Sequence, residues 1–192
     1  MHRRFLAPIV AGTLFAVLAP APARAADEYV VDPAHSSVYF RLSHLGLSYV
    51  YGRFNDVSGT FSIDATNPGS CSFVLAIKPE SIDTNNQKRD EHLRSPDFFN
   101  VKQFPVLSFK STSVKAVPNG YEVTGDMTMH GATRPLTFTL EGGKQAELPK
   151  GVHRTGFSTE LKIKRSEFGM DKFVDAIGDE VHVAISFEGT KK

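Results

Sequence analysis

Hydrophobic and polar residues alternate with a period of two along almost the whole chain beyond residue 26, the spacing of strands that bury one face. Val38, Phe40 and Leu42 share a face, as do Phe61 with Ile63, and Phe73 and Leu75 with Ile77. Leu136, Phe138 and Leu140 follow, then Phe157, Leu161 and Ile163, with Ser158, Glu160, Lys162 and Lys164 opposite. The last run, Val181, Val183, Ile185 and Phe187, is answered by His182, Ala184, Ser186 and Glu188. Asn67-Pro68-Gly69, Pro118-Asn119-Gly120, Gly142-Gly143 and Gly178-Asp179 separate these runs as turns. The alternation fails from Ser81 to Phe99, where a short helix is predicted, stopped by Ser95-Pro96-Asp97; a second brief helix or turn is predicted between Met170 and Ala176. One small helix cannot cover a sheet, so about eight strands must turn their apolar faces on one another, in a sandwich or a closed barrel.

The first 25 residues follow a different logic. A basic start through Arg4, an apolar run from Phe5 to Ala19, and small residues on either side of Arg24 predict a signal peptide cleaved after Ala25. The apolar run is about 15 residues against the roughly 20 a membrane span needs, and Pro8 and Gly12 interrupt it. The expected organisation is therefore a leader, 1–25, and one exported domain, 26–192, in the periplasm. Cys71 is the chain's single cysteine, so no internal disulfide exists and stability must come from the core. In its strand-like context Cys71 reads as a structural thiol, with no CxxC partner or neighbouring His to activate it.

Removing the leader changes the charge. It carries three arginines and no acid, which leaves 19 Lys and Arg against 21 Asp and Glu beyond it, a net of −2. With no block of like charge either, nothing could build the phosphate-neutralising stripe of a nucleic-acid binder. The six histidines beyond residue 26 include no HExxH and no i, i+4 pair, which argues against a metal site. There is no G-x-S-x-G elbow, and Asp90-Glu91 beside Arg89 fits an exposed or capping role better than acid–base catalysis. Thirteen phenylalanines follow the leader, with no tryptophan. By periodicity alone these rings are core, although a barrel of this size can also enclose a lipophilic ligand.

Five blocks carry a family resemblance. They are Asp32-Pro33-Ala34-His35-Ser36 running on to His44-Leu45-Gly46; Tyr51-Gly52-Arg53-Phe54; Arg89-Asp90-Glu91-His92-Leu93 with Ser95-Pro96-Asp97-Phe98-Phe99; Gly125-Asp126-Met127-Thr128-Met129-His130-Gly131; and Arg165-Ser166-Glu167-Phe168-Gly169-Met170. In this order they resemble the YceI-like polyisoprenoid-binding family, departing from it slightly where Met127 and Met129 flank Thr128. The resemblance implies an all-β fold, an elongated eight-stranded antiparallel lipocalin-like barrel with a helix-bearing insertion and an apolar tunnel for a long-chain lipid.

Within that fold the apolar faces become candidate lining: Phe40, Leu42, Phe61, Phe73, Leu75, Phe138, Phe157 and Leu161. His35, His44 and Arg165 are the candidate polar contacts at the mouth. His44 continues the parity of Phe40 and Leu42, so it is a headgroup contact or a satisfied core histidine. Arg165 follows Ile163 inward, where its guanidinium needs an anion from the ligand or from Asp83, Asp90 or Asp171. The expected function is a non-catalytic periplasmic carrier of an isoprenoid quinone or prenyl phosphate, with no cofactor. Its expected partners are that lipid, the inner membrane in passing, and a second copy as a homodimer. An enzyme acting on a small amphiphile and a filled-barrel stress-response module are the alternatives.

Overall fold

The computed structural model describes residues 26–192, so the expected leader and its cleavage site lie outside the described residues. The alternating runs become ten strands and two short helices: β1 (Asp27–His44), β2 (Ser48–Phe54), β3 (Val57–Ile63), β4 (Ser72–Ile77), β5 (Ile82–Asp83), α1 (Gln87–Arg94), β6 (Leu107–Val117), β7 (Gly120–Met129), β8 (Ala132–Leu148), β9 (Val152–Lys164), α2 (Val174–Ile177) and β10 (Glu180–Lys191). Every ladder is antiparallel, and the order β1-β3-β4-β6-β7-β8-β9-β10 returns to β1, closing an eight-stranded barrel. Closure removes the free sheet edges that an open antiparallel sheet would present.

The long first strand explains why ten strands make an eight-stranded barrel. Along one edge β1 pairs first with β3, from Asp27↔Ile63 to Val30↔Thr60, and then with β2, from Val38↔Phe54 to His44↔Ser48. β2 and β3 together therefore act as one bent strand, and the two-residue β5 extends the sheet beyond β2. Residues 78–106, the segment without alternation, cover that side of the barrel. Within it Asn86 caps α1, its side-chain oxygen accepting from the Arg89 N–H at 3.0 Å, and the helix stops at Arg94, two residues before Pro96. Asp90, expected in an exposed or capping role, is not exposed. It is buried, accepting from the Thr84 N–H at 2.9 Å and hydroxyl at 2.6 Å, so it fastens α1 to the end of β5.

A bulge in β1 resets its parity. Asp32 pairs with Glu188 and Ser37 with Ser186, so five steps on β1 answer two on β10. Pro33 has no N–H to continue the ladder, which favours the break there. Tyr29 and Val31 point inward before the bulge and Val38 after it, an odd separation that an unbroken strand could not produce.

The interior divides into two clusters. At one end Tyr29, Phe61, Phe73, Phe157 and Phe187 pack ring on ring, with Phe61 meeting the other four at centroid distances of 5.0 to 5.9 Å. Gly189 admits that ring, since a Cβ there would lie 2.4 Å from Phe61. At the other end Val38, Phe54, Ile82, Leu107, Met129 and Phe168 form a second, partly separate cluster. Cys71 is buried beside Asp64, accepting from its N–H at 3.3 Å, and burial raises its thiol pKa; this is the environment of an inert structural thiol.

Candidate functional site

Between the two clusters lies a cavity of about 490 Å³, lined almost entirely by apolar side chains. Side chains alone do not fill this barrel. The volume falls within the range of sites for small molecules and cofactors. The inward faces of β1, β4, β8, β9 and β10 supply much of the wall, and the insertion adds Leu93, Phe98 and Phe99. Gly52 makes room for one part of it: it faces Phe40 across the β1–β2 ladder, and a Cβ would lie 2.3 Å from the Phe40 ring. The opening is marked by residues that line the cavity and are also exposed, His44, His92 and Phe173.

Among the apolar candidates, Phe40, Leu42, Phe73, Leu75, Phe138 and Leu161 line this cavity. Phe61 and Phe157 do not. They point inward but belong to the packed aromatic end, 5.7 Å apart edge to face. Alternation tells inside from outside, but depth along a barrel depends on strand stagger, which it does not report.

The three polar candidates separate completely. His35 is a correction: it falls in the β1 bulge and turns outward, half exposed, with Nδ1 2.8 Å from Asp32 Oδ2. Arg154 completes this outer cluster, its Nη1 2.8 Å from the same carboxylate oxygen and 3.3 Å from Glu188 Oε2. The hydrogen bond from His35, the Ala34 N–H and the charge of Arg154 hold Asp32 below the usual carboxylate range, and none of these groups reaches the cavity. His44 lines the opening and is exposed, so it is not a core histidine.

Arg165 is inward as expected and only 4% exposed, but neither Asp83 nor Asp90 is its partner. Asp83 pairs with Arg53 at 3.2 Å, and Asp90 is occupied by Thr84. Arg165 instead donates from Nε to the Gly178 carbonyl at 2.8 Å and from Nη1 to the Met170 carbonyl at 2.6 Å. Burial pulls its pKa down, while Asp179 and Asp171 oppose that through space. Carbonyls can hold a guanidinium because it carries five donors in a fixed fork and stays charged.

Two buried polar atoms on cavity-lining residues have no partner among the described residues: Arg165 Nη2 and Thr159 Oγ1. Both belong to the β9 row, Thr159 midway along it and Arg165 just past its end, beside the opening. An unpaired polar atom in so apolar a surrounding costs free energy unless something accepts from it. Thr159 escaped the sequence analysis, although it stands at the same parity as Phe157 and Leu161. Phe98, Phe99, Met127 and Met129 also line the cavity, and of these only the two methionines carried a usable signal, their shared parity on β7. No group of three or more His, Cys, Asp or Glu among the described residues is arranged to hold a metal.

Comparison with known proteins agrees with this architecture. Residues 29–189 match the YceI-like domain. Protein YceI of Salmonella arizonae is 39% identical over 182 residues, 94% of this chain and 95% of the relative, and that of Salmonella paratyphi B matches equally well. Among solved structures, a Campylobacter jejuni YCEI protein superposes with a TM-score of 0.70 at 30% identity, covering 79% of this chain and 90% of its own. Burkholderia cenocepacia BcnA gives 0.73 at 24% identity, covering 82% and 98%. A polyisoprenoid binding domain from Saccharophagus degradans, implicated in plant cell wall breakdown, gives 0.64 at 16% identity over 87% and 99%. A domain match spanning the barrel, together with relatives 39% identical over 94% of the chain, makes this protein a member of the YceI-like family.

Proposed function

We propose that this protein is a non-catalytic periplasmic carrier that holds one long-chain isoprenoid lipid, tail inward, in the barrel cavity. The observation that carries this reading is the cavity itself, whose wall is apolar except for a few polar groups, among them the unpaired Arg165 Nη2 and Thr159 Oγ1. The Saccharophagus neighbour, a polyisoprenoid binding domain, takes the same class of cargo. The signal-peptide reading of residues 1–25 supplies the compartment. The driving force is desolvation, about 0.8 kcal/mol for each methylene taken from water, which needs no covalent step. Phe40, Leu42, Phe73, Leu75, Phe138 and Leu161 grip the tail, while His44 and Arg165 meet the polar head, an isoprenoid quinone or a prenyl phosphate.

The test is a series of prenyl alcohols and quinones of increasing chain length, with affinity read by titration. Affinity climbs with each added five-carbon unit until the cavity is full, and then levels. A flat series overturns the reading. Native mass spectrometry of protein taken from its own periplasm then identifies the cargo by its repeating five-carbon mass.

A further inference from the structure

Several large apolar side chains face solvent around the cavity opening. Leu47, at the turn between β1 and β2, is 83% exposed and Leu45 57%, while Phe173, across the opening before α2, is 56% exposed. Leu45 and Phe173 also hold left-handed backbone, with φ of 53° and 57°, a conformation that bulky side chains rarely adopt. The two segments are joined directly, the Leu45 N–H donating to the Ala176 carbonyl at 2.6 Å. The protein thus holds two strained residues in one unit whose effect is to turn apolar groups outward, a combination characteristic of binding surfaces.

The chemistry of the hairpin is graded. Behind the leucine tip, at steps of about 7 Å along the strand, come Tyr49, then Tyr51 beside Arg41, then Arg53 beside Tyr39. The Arg41 guanidinium lies 4.3 Å from the Tyr49 ring centre. From Pro33 to Asn55 there is no acidic residue; of its two arginines, Arg53 is paired with Asp83 at 3.2 Å, and Arg41 is the cation that the hairpin brings to its tyrosines. An aliphatic tip followed by an aromatic belt that carries Arg41 matches, in order, the hydrocarbon layer and the headgroup interface of a bilayer.

We propose that this hairpin and the Phe173 loop dock the protein on an anionic phospholipid bilayer, with the cavity mouth against the membrane. The inference rests on the carrier reading and adds its partner: a prenyl chain leaving the bilayer enters the cavity past Phe173, which both lines it and faces outward, without crossing water.

The chain contains no tryptophan, so Leu47→Trp introduces a single reporter. With vesicles of phosphatidylethanolamine and phosphatidylglycerol its emission shifts to the blue, whereas Leu148→Trp, in the β8–β9 hairpin at the far end of the barrel, does not shift. Leu47→Asp lowers co-sedimentation with the same vesicles by roughly tenfold or more, the factor that burying one leucine supplies. Leu45→Gly relieves the left-handed strain, so it raises the melting temperature while weakening docking. No shift at Leu47→Trp overturns the proposal. A blue shift that follows protein concentration without vesicles also overturns it and makes the surface an interface between copies. Prenyl binding measured without vesicles separates the two readings: binding without docking sinks this inference alone, while docking without prenyl binding supports it and sinks the carrier.

Discussion

The two ends of this barrel are built from the same alternating pattern and behave as different materials. At the packed end Tyr29, Phe61, Phe73, Phe157 and Phe187 fill the interior with rings in stacked and edge-to-face contact. Toward the mouth, rows of the same parity contribute Phe40, Leu42 and Leu161, and these face open space. The difference lies in what each inward residue meets across the barrel. Where five rings converge they pack on one another, with Phe73 and Phe187 also bordering the cavity, and burial with ring pairing makes that end the stabilising core. Where aliphatic residues and single rings face one another, a cavity remains, and the insertion covers its side.

The sharpest way to break this comparison is to truncate one phenylalanine at each end. Phe61→Ala removes a ring touching four others and costs about 3–5 kcal/mol, whereas Phe40→Ala costs about 1–2 kcal/mol because one side of its ring already faces the cavity. Urea unfolding measures both, and equal losses would erase the distinction. Next comes Arg165→Met, which strands the carbonyls of Gly178 and Met170 and costs about 2–4 kcal/mol. Wild-type stability in that variant would mean the carbonyl clamp contributes nothing.

Leu161→Trp affects binding more than folding. In a cavity wall it lowers stability by less than about 1 kcal/mol while blocking prenyl binding; in a solid core the added bulk would cost roughly 1–3 kcal/mol. Thermal melts and ligand titration on one preparation decide between these. The smallest effect is electrostatic. Burial pushes the Asp179 pKa up, but hydrogen bonds from the Ser166 N–H and hydroxyl, with the charge of Arg165, outweigh it, and the net shift is downward. A depressed folded value means the unfolded chain takes the proton first, so the contribution is complete above about pH 5 and fades as pH falls below about 4. The melting-temperature gap between wild type and Asp179→Asn therefore narrows on acidification, and a gap constant down to about pH 3 would remove Asp179 as its source.

Much of the barrel was readable because alternation is a local property. The inward faces of β1, β4, β8, β9 and β10 follow from it directly, and the helix near residue 90 follows from its interruption. The site was readable only in part. Phe61 and Phe157 have the parity of Phe73 and Leu161, yet stagger places them past the end of the cavity. His35 has the look of a mouth residue in its motif, but the bulge at Pro33 rotates it to the outer surface. Phe98 and Phe99 sit in the insertion, where no period exists to show which way they point.

The sequence by itself determined that the chain is all-β, which face of each regular alternating run turns inward and where α1 stops, because these depend on neighbours a few positions apart. Only the tertiary structure decided which inward rings meet and which leave a gap, that Asp90 is buried against Thr84, and that Arg165 is held by carbonyls rather than carboxylates. Those outcomes depend on strand stagger and loop closure. Residues far apart in the chain, such as Phe61 and Phe187 or Leu45 and Ala176, become neighbours only once β10 has closed on β1.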